Sequence, residues 1–361
     1  MRLGYSVGSL MGSGDIVAHA ELARAAERLG YHSLWSAELA GVEPIGVLGW
    51  LAGQTSTIKL GTAVLQLSGR SAVATAAGAA TLAQISGDRF VLGLGATGPQ
   101  VAEGWHGQRY DHPLARTRDY VMVLRAALAG EPVQYAGQTL TLPLPGSQAE
   151  ALPFLSRRRA VRVPLYLAGL GPKAIALAGE LADGWLGIHC PPSYVAQVRE
   201  SLGSPSDFDI AVMVLAVVDE DEDLARDIAR PQLALYVGGM GTSKVNFYTR
   251  LAERLGFGAA SAAVREAYLA GRIDEAIDLL PDEMVDAMTL CGTPARVRER
   301  LLEYQAAGTG TLIVGMFAPS ARMRQEQLER IAAFGVGVLR VLTRRPAGPA
   351  RAGRPRIAHC R

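Results

Sequence analysis

A short apolar strand that ends in small residues and feeds an alanine-rich helix is the unit this chain repeats. It appears first as Leu3-Gly4-Tyr5-Ser6-Val7-Gly8, followed by a helix over about residues 15–29. It recurs as Ser33-Leu34-Trp35-Ser36 with a helix near 47–54, and as Ile58-Lys59-Leu60-Gly61-Thr62-Ala63-Val64 with a helix over 72–85. The fourth copy, Phe90-Val91-Leu92-Gly93-Leu94-Gly95, runs into the loop Ala96-Thr97-Gly98-Pro99. Strands that alternate with helices pair in parallel through crossovers. The pattern resumes at Val163-Pro164-Leu165-Tyr166-Leu167-Ala168, with a helix over 173–181, then at 184–189, where Pro191 and Pro192 break the chain before a short helix that runs to Leu202. It continues at 209–218 and at 311–316, the last between helices over 294–306 and 321–342. Residues 209–218 are apolar throughout, as a buried parallel strand should be. These eight strand candidates predict a (β/α)8 barrel of the α/β class, with an open doubly wound sheet and a helical second domain as the other topology the pattern allows. A barrel of this kind places its chemistry in the loops after the strands.

Two stretches depart from the repeat. Residues 133–142 alternate around Ala136-Gly137, which predicts a hairpin, and 143–160 read as loop. Residues 236–290 read as two or three short helices inserted on the catalytic rim. The expected organisation is one barrel domain over 1–343, with insertions near 130–160 and 236–290, and a flexible Arg/Pro-rich tail over 344–361. That tail carries six arginines, three prolines and no acid. Taking its six positive charges from the net +2 leaves about −4 for the body, which argues against a nucleic-acid-binding surface. The longest weakly polar stretch, 72–83, is too short and too rich in alanine and threonine to anchor in a bilayer, and no signal peptide is evident. Three widely spaced cysteines, Cys190, Cys291 and Cys360, fit a reducing cytoplasm and offer no metal-ligand spacing.

The loop Gly169-Leu170-Gly171-Pro172 lies between a strand and a helix, where glycines admit a ligand to the backbone and helix N–H groups favour an anion. It lacks the third glycine of the dinucleotide fingerprint. Gly93-Leu94-Gly95-Ala96-Thr97-Gly98 is a second small-residue loop, suited to a flat ring. His189 ends the sixth strand, and Glu103 and His106 share the loop after the fourth, where an acid and an imidazole can relay protons. The chain has no Walker lysine and no HExxH motif, so kinase and zinc-protease chemistry lack support.

Four segments together resemble the luciferase-like monooxygenase superfamily of flavin and deazaflavin enzymes. They are Leu60-Gly61-Thr62-Ala63-Val64, Arg89-Phe90-Val91-Leu92-Gly93-Leu94-Gly95, Leu167-Ala168-Gly169-Leu170-Gly171-Pro172-Lys173 and Ala182-Asp183-Gly184-Trp185. Gly98-Pro99-Gln100-Val101-Ala102-Glu103-Gly104-Trp105 and Pro113-Leu114-Ala115-Arg116-Thr117-Arg118 are similar to the actinobacterial branch of coenzyme F420-dependent oxidoreductases. The resemblance implies a barrel with a cofactor lying across the strand ends: F420, with FMN as the alternative. It implies a non-prolyl cis peptide between Ala63 and Val64 against the ring. It places the cofactor phosphate on Gly169, Leu170, Gly171 and Pro172, ring-edge or ribityl contacts on Ala96, Thr97, Gly98 and His189, and Ala168 among the cofactor-binding residues.

Some positions depart from the family's sugar-phosphate dehydrogenases. Ala37-Glu38 stands where they carry an Asp-His pair, Thr97-Gly98-Pro99 where they carry a catalytic Glu, and no lysine follows the sixth strand. Glucose-6-phosphate oxidation is therefore not expected, and Glu38, Glu103 and His106 remain as the catalytic candidates. The implied activity is hydride transfer between the deazaflavin C5 and a small organic substrate, a C=C or C=N bond. An FMNH2- and O2-dependent monooxygenase and a non-catalytic flavin- or F420-binding protein are the alternatives. The expected partners are a small-molecule substrate and a second copy of the chain in a homodimer, with neither nucleic acid nor membrane and no metal.

Overall fold

A computed structural model of the protein describes residues 1–7, 17–38, 41–152, 162–203, 206–242, 244–316, 318 and 320–342, with side chains to 334 in the last helix. Among them are twelve strands: β1 Arg2–Ser6, β2 Ser33–Ser36, β3 Lys59–Thr62, β4 Leu65–Gln66, β5 Phe90–Gly95, β6 Tyr135–Ala136, β7 Thr141–Leu142, β8 Leu165–Ala168, β9 Gly184–Ile188, β10 Asp209–Val218, β11 Leu290–Gly292 and β12 Thr311–Met316. The eight strands β1, β2, β3, β5, β8, β9, β10 and β12 pair in parallel in that order, and β12 returns to β1. The barrel is closed, so the open-sheet alternative is excluded. The hairpin β6–β7 stands apart as the antiparallel pair that the 133–142 pattern predicts. Gly8, the first two residues of the expected first helix and the tail 344–361 lie outside the described residues.

Helix starts show what the sequence reading put in the wrong place. The helix expected from 47 begins at Pro44, because Glu43 accepts a hydrogen bond from Gly46 N at 2.6 Å and proline fits the first helical position. Pro172 and Pro192 open helices in the same way; Pro192 therefore starts Pro192–Ser201 rather than breaking the chain. The insertion holds four helices instead of two or three: Phe247–Arg254, Gly258–Leu269, Ile273–Asp278 and Asp282–Met288. Gly256 and Gly271 divide them with φ of +91° and +78°, which only glycine adopts freely. The third strand, expected to run unbroken over 58–64, stops at Thr62 and resumes at Leu65. The non-prolyl cis bond lies in the gap, between Ala63 and Val64, as the resemblance implied. Beside it, Thr62 Oγ1 accepts from Gly93 N and donates to Gly93 O, both at 2.8 Å, so the neighbouring strand keeps its backbone partners.

The barrel interior is filled by Trp35, Val91, Tyr166, Leu186, Ala211 and Ile313. Trp35 is too large for a ring of ordinary strand residues. A glycine on each adjacent strand makes room: a Cβ on Gly4 would lie 2.9 Å from Ser33 Oγ and 3.0 Å from Trp35 Nε1, and one on Gly61, its register partner, would collide with the indole. The Trp35 N–H donates to Ser33 Oγ at 2.8 Å, and the ring tilts against Tyr166 at 5.8 Å between centroids. At the N-terminal ends of the strands, buried Asp209 closes the barrel. Its Oδ2 accepts from Tyr166 Oη and Thr311 Oγ1, both at 2.7 Å, and pairs with Arg2 at 2.6 Å. That face reads as stability, and the opposite face carries the site.

Candidate active site

Against the interior side chains pack Ala63, Val64, Ala168 and Met213, a half-buried apolar floor from three strands: the first two lie in the break after β3, Ala168 ends β8 and Met213 lies within β10. Val64 presses close enough that a Cβ on Gly95 would lie 2.7 Å from its Cγ2. Gly95 is thus needed to let the strand pass. The floor is apolar, as a planar ring requires, and carries no charged side chain.

Glu38 stands at one side of this floor, with its backbone N donating to Val64 O at 3.0 Å. Gln66 organises what surrounds it. Its backbone N–H donates to Glu38 Oε2 at 2.7 Å, and its side-chain Nε2 donates to Glu38 O at 2.9 Å. The remaining Gln66 Oε1 can only accept, and it lies 2.8 Å from His106 Nε2. His106 therefore carries its proton on Nε2 in the neutral ring, a tautomer inferred from this bond. Arg70 lies 2.7 Å from Glu43 and 3.9 Å from Glu38. Glu38, Gly41, Val42, Glu43, Gln66, Trp105 and His106 line a cleft of about 420 Å³. Trp105 is 61% exposed on its wall, unusual for so large an apolar side chain. The expected Glu103–His106 pair does not form. Glu103 is exposed and accepts from Tyr110 N at 3.0 Å, so it pins the loop rather than facing the cleft. Gln66, central to the arrangement, was not singled out by the sequence reading.

Two expected contact residues stand out electrostatically. His189, just past β9, is 1% exposed and has φ +55°, in the left-handed region that a non-glycine residue rarely adopts. Its Nδ1 donates to Met288 O at 3.1 Å, and burial pushes its pKa down to about 4. The ring is neutral at pH 7, so Nε2 is a bare acceptor, and it has no hydrogen-bond partner. Tyr236 meets the ring edge-on at 4.7 Å. Thr97 repeats the pattern, with φ +54° and a buried Oγ1 without a partner. Tyr110 Oη donates to Thr97 O at 3.2 Å. Gly98 opens the helix Pro99–Gly104, and Ala96 packs half-buried on the core. Buried polar atoms are normally paired. Two unpaired ones at the strand ends flanking an apolar floor fit a ligand with a ring and hydroxyl groups.

The 169–172 loop has one closed and one open glycine. A Cβ on Gly169 would lie 2.5 Å from Ala174 Cβ, and Gly169 O accepts from Trp185 Nε1 at 2.7 Å. Leu170 is buried, and its carbonyl accepts from Tyr194 Oη at 2.6 Å and Arg254 Nη1 at 2.9 Å. Around Gly171 nothing lies within 4 Å of a Cβ position, and no side chain caps the helix Pro172–Leu181 that it precedes. An uncapped helix N-terminus facing open space accommodates a phosphate. The residues present therefore fit a ring-and-phosphate cofactor. No group of three or more possible metal ligands occurs among the described residues.

With this geometry in place, the likeness to known proteins is specific. The family model described as luciferase-like monooxygenase matches residues 3–311. A Mycobacterium tuberculosis protein named as a coenzyme F420-dependent oxidoreductase is 38% identical over 87% of this chain and 94% of its own. The 5,10-methylenetetrahydromethanopterin reductase of Methanolobus tindarius is 30% identical over 84% of this chain and 91% of its own. Among solved structures, the coenzyme F420-dependent tetrahydromethanopterin reductase of Methanopyrus kandleri superposes with a TM-score of 0.75, at 23% identity, over 92% of this chain and 97% of that one. The chain, a closed parallel barrel matched by the family model over most of its length, belongs to the luciferase-like monooxygenase family.

Proposed function

We propose that the chain is a coenzyme F420-dependent oxidoreductase that transfers a hydride between the deazaflavin and a small organic substrate, reducing a C=C or C=N bond. The observation that carries this reading is the joining of three surfaces on one rim. These are the apolar floor around Val64 and Ala168, the open helix start at Gly171, and the cleft in which Gln66 holds Glu38 and His106. The two relatives described above, named for F420 and for a pterin reduction, support it. When bound, F420 supplies a hydride donor or acceptor at the ring carbon C5.

Each residue then has a task. Ala63, Val64 and Ala168 support the ring, and Thr97 Oγ1 and His189 Nε2 meet polar groups at its edge or on its ribityl chain. His189 can only accept, so its partner is a hydroxyl or N–H donor. The 169–172 loop holds the phosphate. On the substrate side, Trp105 offers a flat apolar wall. Glu38 Oε2 is tied to Gln66 N, and His106 Nδ1 is the ring nitrogen with no protein partner among the described residues. His106 Nδ1, bare in that tautomer, takes up a proton from solvent and passes it to the atom that hydride addition leaves anionic, returning to the neutral ring, with Glu38 orienting the substrate through its second oxygen. Orientation and exclusion of water do the rest. No described helix is long and apolar enough to cross a membrane, and cytoplasmic action on a diffusible substrate as a homodimer completes the proposal.

The test is a pair of titrations of purified protein with F420 and with FMN, following tryptophan and cofactor fluorescence. F420 should bind more tightly, and turnover should consume no oxygen. Micromolar FMN binding with no detectable F420 binding, or substrate-dependent oxygen uptake with FMNH2, overturns the reading.

A further inference from the structure

The cleft beside Glu38 is built to receive positive charge. Two carboxylates line it, and one guanidinium serves both. Glu43 is satisfied on each oxygen: Oε1 lies 2.7 Å from Arg70 Nη2, and Oε2 accepts from Gly46 N at 2.6 Å. The same Arg70 nitrogen stands 3.9 Å from Glu38 Oε1, beyond hydrogen-bond reach. Glu38 Oε2 is taken by Gln66 N, so Oε1 is the oxygen left open among the described residues. His106 donates its Nε2 proton to Gln66 Oε1 and therefore turns a second acceptor, Nδ1, to a ligand. The side-chain donors that remain among the lining residues are neutral: the second amide hydrogen of Gln66 and the indole N–H of Trp105.

Gly69 marks where the open oxygen looks. A Cβ there would lie 3.2 Å from Glu38 Oε1 and 3.4 Å from His106 Cε1. The carboxylate oxygen and the imidazole edge thus border one point, which stays clear because residue 69 has no side chain. Gly69 is not among the residues with positive φ, so its conformation does not call for glycine, whereas the room beside Glu38 does. Trp105 completes the cleft with a ring that is 61% exposed. The face of an indole is the best aromatic partner for a cation.

We propose that the substrate of this cleft is a flat organic cation that carries its charge on N–H groups, an amidinium or a protonated ring nitrogen, with one N–H donated to Glu38 Oε1 beside Gly69 and the ring laid against Trp105. The proposal rests on the oxidoreductase reading above and narrows its substrate; the reducible bond is a separate part of the same molecule. A substrate with a carboxylate or phosphate at this end meets Glu38 as a like charge and is rejected.

Benzamidinium, benzamide and benzoate test this, because they share size and flatness and differ in charge. Their dissociation constants are measured by tryptophan fluorescence on the protein loaded with F420 and on the free protein. Benzamidinium should bind roughly 10- to 100-fold more tightly than benzamide, as a hydrogen bond to a charged group is worth, and benzoate more weakly than either. Glu38→Gln keeps an acceptor for Gln66 N and removes the charge. It should bring benzamidinium to within about threefold of benzamide and leave benzamide where it was. Gly69→Ala should weaken both by about tenfold while F420 affinity holds, because the methyl group fills the point beside Oε1. Raised salt should narrow the gap between benzamidinium and benzamide. Any other order of the three probes, binding of none, or a benzamidinium preference that survives Glu38→Gln overturns the proposal. If the protein does not bind F420, the oxidoreductase reading fails, while the order of the probes on the free protein still decides the charge of the ligand.

Discussion

Replacing Gly171 by aspartate should strengthen the fold and weaken cofactor binding. The backbone there has φ −95° and ψ +151°, which any residue adopts, and a Cβ would meet nothing within 4 Å. Steric cost is therefore absent. Gly171 is the N-cap of a ten-residue helix that no side chain caps. An aspartate at that position accepts from free helix N–H groups and complements the helix dipole, together worth about 0.5–1 kcal/mol. In a chain of this size that raises Tm by about 1–2 °C. The same carboxylate would face the bound phosphate. At about 5 Å and an effective dielectric of about 20, two unit charges repel by about 3 kcal/mol, and nearer water by less than about 1 kcal/mol. A loss of at least about tenfold in F420 affinity follows. Thermal melts of the free protein and fluorescence titration with F420 read the two effects separately. Unchanged affinity in a folded Gly171→Asp protein would place the phosphate elsewhere. A fall in Tm would refute the capping argument.

The remaining predictions concern other parts of the molecule. His106→Ala and Glu38→Gln should each lower turnover by about 10²–10³-fold while F420 affinity stays within about twofold, and Glu103→Gln should change little, since Glu103 faces solvent and Tyr110 N; single-turnover kinetics on the reduced cofactor separate the three. Stability should fall as the pH drops from about 6.5 towards 4. Burial holds His189 and His32 at about 4, so between those values the unfolded chain binds protons that the folded one refuses, at up to about 1.4 kcal/mol per pH unit for His189 and less for half-buried His32, whose charge solvent screens. Urea unfolding of His189→Gln across that range should show a shallower slope, and an identical slope would mean that His189 is not held neutral. Asp209→Ala should cost about 3 kcal/mol in urea unfolding, because two buried hydroxyls lose their acceptor, while F420 affinity is retained.

The barrel was legible because parallel strands buried on both faces read as apolar runs, and all eight candidates became barrel strands. Gly169, Gly171, Thr97 and His189 were singled out for a related reason: residues just past a barrel strand lie on the rim wherever the strand is placed. What was not legible depends on how loops fold back. Glu103 and His106 are three residues apart at the end of a short helix, and the turn into 105–110 sends one to Tyr110 and the other to Gln66. Gln66 looked like the end of an ordinary strand, and its role exists only because the chain breaks between Thr62 and Leu65. Arg254 meets the 169–172 loop through a backbone carbonyl 84 residues away, which leaves no trace in local pattern.

The fit of Trp35 against Gly4 and Gly61 carries a consequence for how such a barrel drifts over evolutionary time. A side chain gained at Gly61 first has to wait for the indole to shrink, one gained at Gly4 has to wait for Ser33 as well, and an indole lost first leaves a hole that new side chains at those glycines would refill. Substitutions at the three positions are thus tied in order as well as in kind. Sequences of relatives should show positions 4, 35 and 61 changing as a set, with intermediates rare, whereas the rim loops a few ångströms above exchange residues singly.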